Sequence, residues 1–271
     1  SLQVFLSISE SIFTGFLFLK SLKKLSNKYK FIRVIHLCAH DQWGGLISHF
    51  GKKENIESIY IQSYNNSSYF LPSAYPYDIS FFYDNNEVRK AKKIGAKKEL
   101  KCVGSLEFDH AYSKRKLARN SNLIASEYNI LCITQSMSDD SLSQNLMLVE
   151  SLFSFMRVSD SNTKATVKLH PYEKKQSYLR YMNLAKKEKL NIKFIDTGDA
   201  SELLTYCNIV LARFSAVIKQ SILCRIPVIS VVTKDEYKRY FDYLEFPKGI
   251  ISISHSVEKS VEYLSLYSDE K

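Results

Sequence analysis

Short apolar runs rich in β-branched and aromatic residues recur along the chain, separated by longer amphipathic stretches. A short apolar run between polar or turn residues predicts a buried strand, and apolar residues at three- and four-residue spacing predict a helix. In the first half, strands are expected at 4–8, 31–38, 58–62, 79–83 and 100–103. A second series is expected at 130–134, 166–169, 192–195, 209–211, 228–232 and 250–253. Helices are expected at 11–27, 44–53, 87–94, 140–157, 175–188, 200–206, 216–224, 235–244 and 257–266. Strands alternating with helices imply βαβ units and a mostly parallel sheet.

The pattern lapses between Glu107 and Glu127, where Ser113-Lys114-Arg115-Lys116 and Arg119-Asn120-Ser121-Asn122 are polar and basic. An interdomain linker is therefore expected at 109–128, between domains at 1–108 and 129–271. The expected fold class is α/β, with two Rossmann-like domains facing each other across a cleft.

Composition changes this picture little. With 271 residues, 45% hydrophobic and 24% charged, the chain is long enough for a sizeable buried core. Glycine (8) and proline (5) are too scarce for a low-complexity or collagen-like chain. The net charge of +10 raises three partners: nucleic acid, an anionic membrane surface or a phosphorylated substrate. Basic residues are scattered over the helices and aromatics sit inside strand runs, which gives no base-stacking platform, so nucleic acid is not expected. Cys38, Cys102, Cys132, Cys207 and Cys224 form no C-x-x-C pair and sit mostly in apolar runs, as buried thiols of a reducing cytoplasm would. No zinc site is expected from them. No apolar run reaches the length of a transmembrane helix. Residues 2–19 are interrupted by Gln3, Ser7, Ser9, Glu10 and Ser11 and lack a basic leader, which makes a poor signal peptide. A cytoplasmic protein is expected.

Ligands of parallel α/β sheets bind beyond the carboxyl ends of the strands. In the first half those ends deliver Glu10, His40-Asp41-Gln42, Gln62-Ser63-Tyr64 and Asp84-Asn85. In the second half they deliver Gln135-Ser136, His170-Pro171, Thr197-Gly198-Asp199, Arg213-Phe214-Ser215 and Thr233-Lys234-Asp235. At His170-Pro171 a strand ends in an imidazole and proline fixes the chain direction, so the ring can donate to a phosphate oxygen. Lys168, two residues earlier, should share its face. Ser215 stands where a helix would begin; it suits an N-cap, and the free N–H groups behind it suit a phosphate. Arg213 could add a guanidinium. Asp41, before Trp43-Gly44-Gly45, reads either as an N-cap or as a general base for an acceptor hydroxyl. Glu10 and His40 compete for the latter role. Gly44-Gly45 is not a dinucleotide fingerprint.

The order of a strand ending in His-Pro, a short helix, a strand leading to a Ser-headed helix and an x-Pro-Val-Ile strand resembles the C-terminal domain of GT-B glycosyltransferases. It is most similar to bacterial sialyltransferases and polysialyltransferases, Kdo transferases of capsule synthesis and CDP-glycerol polymerases. In the first half, the strand ending at Gln62 and Val103-Gly104-Ser105-Leu106-Glu107-Phe108-Asp109 add to the likeness. Ala216 replaces the second serine of the family's Ser-Ser pair, Gln220 stands where Glu is frequent, and Ser63 follows Gln62 where His is common.

The resemblance implies an inverting, metal-independent transfer of a sugar, foremost sialic acid or a related ulosonic acid, from a CMP-linked donor to a surface glycan. No cofactor is implied beyond that donor. His170, Pro171, Lys168, Arg213, Ser215, Gln135, Ser136 and Gly198 would bind the nucleotide. Asp41, with Glu10 as its competitor, would be the base, and His40, Gln62 and Tyr64 would meet the acceptor. A lipid-linked or polyanionic acceptor would bring the basic surface to the inner face of the bacterial membrane. The alternatives are a CDP-polyol phosphotransferase, a UDP-sugar transferase or epimerase, and a non-catalytic binding protein descended from a transferase.

Overall fold

The computed structural model describes residues 2–37, 42–62, 77–93, 95–96, 98–120, 128–135, 141–238 and 249–269. The chain divides into two compact units, Ser1–Ser105 and Leu106–Lys271.

The first unit opens on α1 (Leu2–Lys28), followed by β1 (Arg33–His36), α2 (Gln42–Glu54), β2 (Glu57–Ile61), β3 (Ile79–Phe82), α3 (Asn85–Lys93) and β4 (Glu99–Cys102). The strand expected at 4–8 is therefore helical, and Glu10 lies within a helix instead of at a strand tip. Over residues 12–28 of α1, Gly15, Phe18, Leu19, Leu22 and Ser26 recur at helical spacing and are the less exposed positions. No glycine or proline interrupts residues 2–11, so a helix nucleated there propagates backwards at one hydrogen bond per residue.

The strands form a parallel sheet in the order β1-β2-β3-β4. Each crossover steps in the same direction, which places α2 and α3 on one face under the right-handed rule. Helix α2 lies close upon β2, because Gly51 presents no side chain: a Cβ there would stand 2.7 Å from the Ile56 carbonyl oxygen. The helix ends with Asn55 left-handed (φ 56°) and the Ile56 N–H bonded to the Gly51 carbonyl at 2.8 Å, a Schellman closure.

The second unit runs α4 (Leu106–Asn120), β5 (Tyr128–Ile133), α5 (Ser141–Met156), β6 (Thr163–Lys168), a 3-10 turn (Lys175–Tyr178), α6 (Leu179–Lys187) and β7 (Ile192–Ile195). It continues through α7 (Ala200–Leu203), β8 (Ile209–Ala212), α8 (Ala216–Leu223), β9 (Val228–Val231), α9 (Lys234–Glu236), β10 (Ile251–Ser254) and α10 (Val257–Asp269). The stretch read as a linker is thus helical up to Asn120 and belongs to this unit; residues 121–127 lie outside the described residues. Phe108, Ala111, Arg115 and Ala118, three and four apart, are its buried stripe. Arg115 donates from Nη1 to the carbonyls of Leu204 (3.3 Å) and Thr205 (2.7 Å), which anchors α4 just beyond α7.

All six strands of this unit are parallel, in the order β10-β9-β8-β5-β6-β7. The chain moves outward from β5 to β7, returns to β8 on the other side of β5, and moves outward again. That is the doubly wound Rossmann order, with its switch point between β5 and β8. Both faces are covered. Ile130, Cys132, Ile209 and Leu211 point into a core with Leu148, Leu152, Phe153 and Leu264. Their neighbours Leu131, Ile133, Val210 and Ala212 point into a second core with Ala111, Val217 and Ile218. Alternate residues of one strand thus enter different cores, which is why these strands read as continuous apolar runs.

Candidate functional site

The site is built at the carboxyl ends of β5, β6 and β8. Strand β6 delivers His170 two residues past its end, β5 delivers Thr134 and Gln135, and β8 delivers Arg213, Phe214 and Ser215. Because β8 and β6 flank β5, His170 and Ser215 sit at the same edge of one sheet, on either side of the strand nearest the switch point. Two strand spacings put their backbones roughly 10 Å apart.

The turn after β6 is tightly bonded. The His170 N–H is shared between the Thr134 hydroxyl (3.0 Å) and Glu173 Oε2 (3.1 Å), and the Glu173 N–H donates to the His170 carbonyl at 2.9 Å. The Tyr172 N–H donates to His170 Nδ1 at 3.3 Å. Nδ1 is therefore the acceptor nitrogen, so a neutral ring carries its proton on Nε2. Partial burial holds the imidazole below its usual pKa; Glu173 opposes this, and the Lys168 ammonium adds to it. Burial and the Lys168 charge both favour the neutral ring, which offers one Nε2–H donor. Pro171 and Tyr172 are exposed beside it.

Ser215 caps α8 with extended backbone (φ −141°, ψ 153°) and accepts from the Val217 N–H at 3.3 Å. It is half-buried, and the first-turn N–H groups of an eight-residue helix lie behind it. Such a terminus carries a partial positive charge. Gly198, after β7, is left-handed (φ 82°), and a Cβ there would meet open space.

Several expected ligand residues are committed to the protein instead. Lys168 is only 4% exposed, and its ammonium donates to the Leu169 carbonyl at 2.8 Å. It sits under the turn and acts on His170 through its charge. Arg213 is 1% exposed; it pairs with Glu236 and donates to Asn145 Oδ1 at 3.3 Å. Glu236 in turn forms a capping box with Thr233 at the start of α9. Arg213 therefore braces the end of β8. In the first unit, Gln62 is buried: its Nε2 donates to Glu87 (3.1 Å) and its Oε1 accepts from the Tyr83 N–H (2.9 Å). That amide clamps the end of β2 to β3 and α3 and is not a surface for an acceptor. His40, Asp41, Tyr64 and Ser136 lie outside the described residues, as do the side chains of Glu10 and Gln42.

Two residues without an expected role are central. Asn145, wholly buried on α5, accepts from the Gln135 N–H (3.2 Å) and donates to the Gln135 carbonyl (2.6 Å) and to Glu173 (2.6 Å). Its signal in the sequence is a polar residue on the helix face of Leu148, Val149 and Leu152, which all point into the core. Glu173 follows His170 by three residues and receives donors from several elements.

A cavity of about 310 Å³ lies elsewhere, lined by Leu19, Lys23, His49, Phe50, Lys53 and Glu54. Its α2 residues lead into the amino end of β2, the end opposite to where such sheets hold ligands. Among the described residues no group of three His, Cys, Asp or Glu side chains comes together as a metal site. No described helix is long and apolar enough to cross a membrane.

No family model matches the sequence, and no curated protein matches it. Solved structures do match its fold. The UDP-GlcNAc 2-epimerase of Methanocaldococcus jannaschii, in complex with UDP-GlcNAc and UDP, aligns with TM-score 0.63 at 16% identity, over 93% of this chain and 73% of its own. A putative UDP-N-acetylglucosamine 2-epimerase from Listeria monocytogenes aligns with TM-score 0.68 at 11% identity, over 94% and 71%. An Escherichia coli trehalose-6-phosphate structure bound with UDP-2-fluoro glucose aligns with TM-score 0.59 at 11% identity, over 96% and 70%. With two parallel α/β units and these neighbours, the chain has the α/β fold of the GT-B class, built from Rossmann-like domains.

Proposed function

We propose that the chain binds a nucleotide sugar through its phosphate at the carboxyl edge of the second sheet and acts in glycosyl transfer. The observation that carries this reading is a pair of groups on either side of β5: the Nε2–H donor of His170 and the positive end of the α8 dipole behind Ser215. Hydrogen bonds aimed at a leaving phosphate stabilise the charge that develops there as the glycosidic bond breaks. Asp41 remains the candidate base and would take the proton of an acceptor hydroxyl, so a single displacement would invert the anomeric centre. The chemistry asks for no metal ion.

Two donors are in competition. Two of the solved neighbours, the Methanocaldococcus jannaschii and Escherichia coli structures, hold UDP or a UDP-sugar, which favours a UDP-linked sugar and admits epimerisation as well as transfer. The His-Pro turn and the serine cap favour a CMP-linked ulosonic acid. Thermal melting of the full chain with UDP, CDP and CMP separates the two. A ligand at one hundred times its Kd adds about 2.7 kcal/mol, which raises the melting point by several degrees. His170→Ala should weaken the active nucleotide roughly ten- to hundredfold, as expected for a lost hydrogen bond to a charged group. Identical melting with and without all three nucleotides would end this reading. Exposed Lys20, Lys24 and Lys28 on α1 are the residues on which contact with an anionic membrane would rest.

A further inference from the structure

Four donors converge on the Glu173 carboxylate. Oε1 accepts from Asn145 Nδ2 (2.6 Å) and from the Tyr178 hydroxyl (2.5 Å). Oε2 accepts from the His170 N–H (3.1 Å) and from the Thr134 hydroxyl. These donors come from α5, the 3-10 turn after β6, the His-Pro turn itself and the end of β5. A carboxylate offers about four lone-pair sites and no proton, so the side chain is saturated. Thr134 completes the circuit, because its oxygen also accepts from the His170 N–H at 3.0 Å.

We propose that Glu173 is the positioning residue of the anion site: it locks the turn so that His170 keeps Nδ1 as an acceptor and presents Nε2–H outward. Glu173 holds the His170 main chain, the Tyr172 N–H then finds Nδ1, and the single ring proton is left on the other nitrogen. An amide cannot replace the carboxylate. Glutamine would set its NH2 group against either the Asn145 amide nitrogen or the His170 N–H, neither of which can accept, so in both arrangements a donor faces a donor. The charge matters separately. Among the described residues, the ionisable groups acting on the imidazole are Glu173 from its own turn and Lys168 from β6; Thr134, from β5, is not ionisable. Of these, only the Glu173 charge favours the protonated ring.

The ligand arm of this inference rests on the nucleotide reading, and the ring arm does not. The test is a nitrogen-15 NMR titration of His170 in the full chain, assigned by loss of its signals in His170→Gln, together with calorimetry of UDP binding. In the wild type the neutral ring is expected as the Nε2–H tautomer alone. Glu173→Gln should mix the tautomers, lower the titration midpoint and weaken UDP at least tenfold. Thr134→Val retains the charge but cuts the circuit, so it should mix the tautomers with a smaller change in midpoint. It serves equally if Glu173→Gln does not fold. A wild-type ring protonated at Nδ1 overturns the proposal without any variant. So does a folded Glu173→Gln or Thr134→Val chain with the wild-type tautomer. A wild type that binds none of UDP, CDP and CMP but shows the tautomer changes removes the nucleotide reading and supports the positioning role.

Discussion

Whether His170 is charged follows from three influences: burial and Lys168 against protonation, Glu173 for it. Its folded pKa lies below the ordinary histidine value, so the native state resists protonation. The stability this contributes is present at neutral pH, above that ordinary value, and is lost as pH falls through the folded value. Lys168→Met keeps the length of the buried stem and removes the charge. It should raise the His170 midpoint measured by NMR and make the acid loss of stability smaller, as read from urea unfolding at a series of pH values. An unmoved midpoint would show that the ammonium is too well screened to matter. The sequence makes His170 and Ser215 visible because a strand-end His-Pro and a helix-heading serine carry their geometry in their residue types. It misplaces Lys168 and Arg213 for one reason: charge is read as exposure, and a strand covered on both faces offers neither side to solvent. Glu173 is silent in the sequence because its donors are drawn from separate elements, and only the folded chain brings them to one carboxylate.

The elements that were misread show how periodicity fails. Helix α4 reads as a linker because one of its four buried positions is Arg115, and the rest of its surface is polar. The guanidinium is kept inside by two carbonyls, a partner set that spacing alone does not reveal. Residues 4–8 have the composition of a strand yet extend a helix. Helix α2 was legible, but its closeness to the sheet was not. In a helix interior, Gly to Ala ordinarily stabilises by up to about 1 kcal/mol. At Gly51 the added methyl meets the Ile56 carbonyl at 2.7 Å, and that oxygen is fixed in the chain leading into β2. Overpacking of this kind costs about 1–3 kcal/mol, so the clash outweighs the gain in propensity. Gly51→Ala should therefore destabilise the chain by roughly 1–2 kcal/mol in urea unfolding. A stabilised variant would mean that the start of β2 yields easily.

At the scale of the whole molecule, the second unit contains almost everything the proposed site requires. Both larger cores lie entirely within it, and α4 is tied to it by Arg115 and by the Gln220 amide, which donates to Glu107 at 2.5 Å. Among the described residues, the buried cluster of the first unit is smaller, with Tyr60, Tyr77, Phe82 and Ala91, and Ile35 on β1 is 59% exposed. A domain with its own core folds by itself. Residues 106–271 alone should therefore fold cooperatively. The His170 turn, Glu173 and its donors, and the cap of α8 are all inside that segment, so the isolated unit should bind the active nucleotide within about threefold of the full chain, under roughly 0.7 kcal/mol. It should have no transfer activity, because the proposed base, Asp41, is absent from it. The full chain should lose its first unit earlier in urea, and added nucleotide should shift only the later transition, since a ligand stabilises the part that binds it. Affinity more than tenfold weaker in the isolated unit would instead mean that residues before Leu106 supply donors to the phosphate or the base. The site would then have to be sought among the strand ends of both halves.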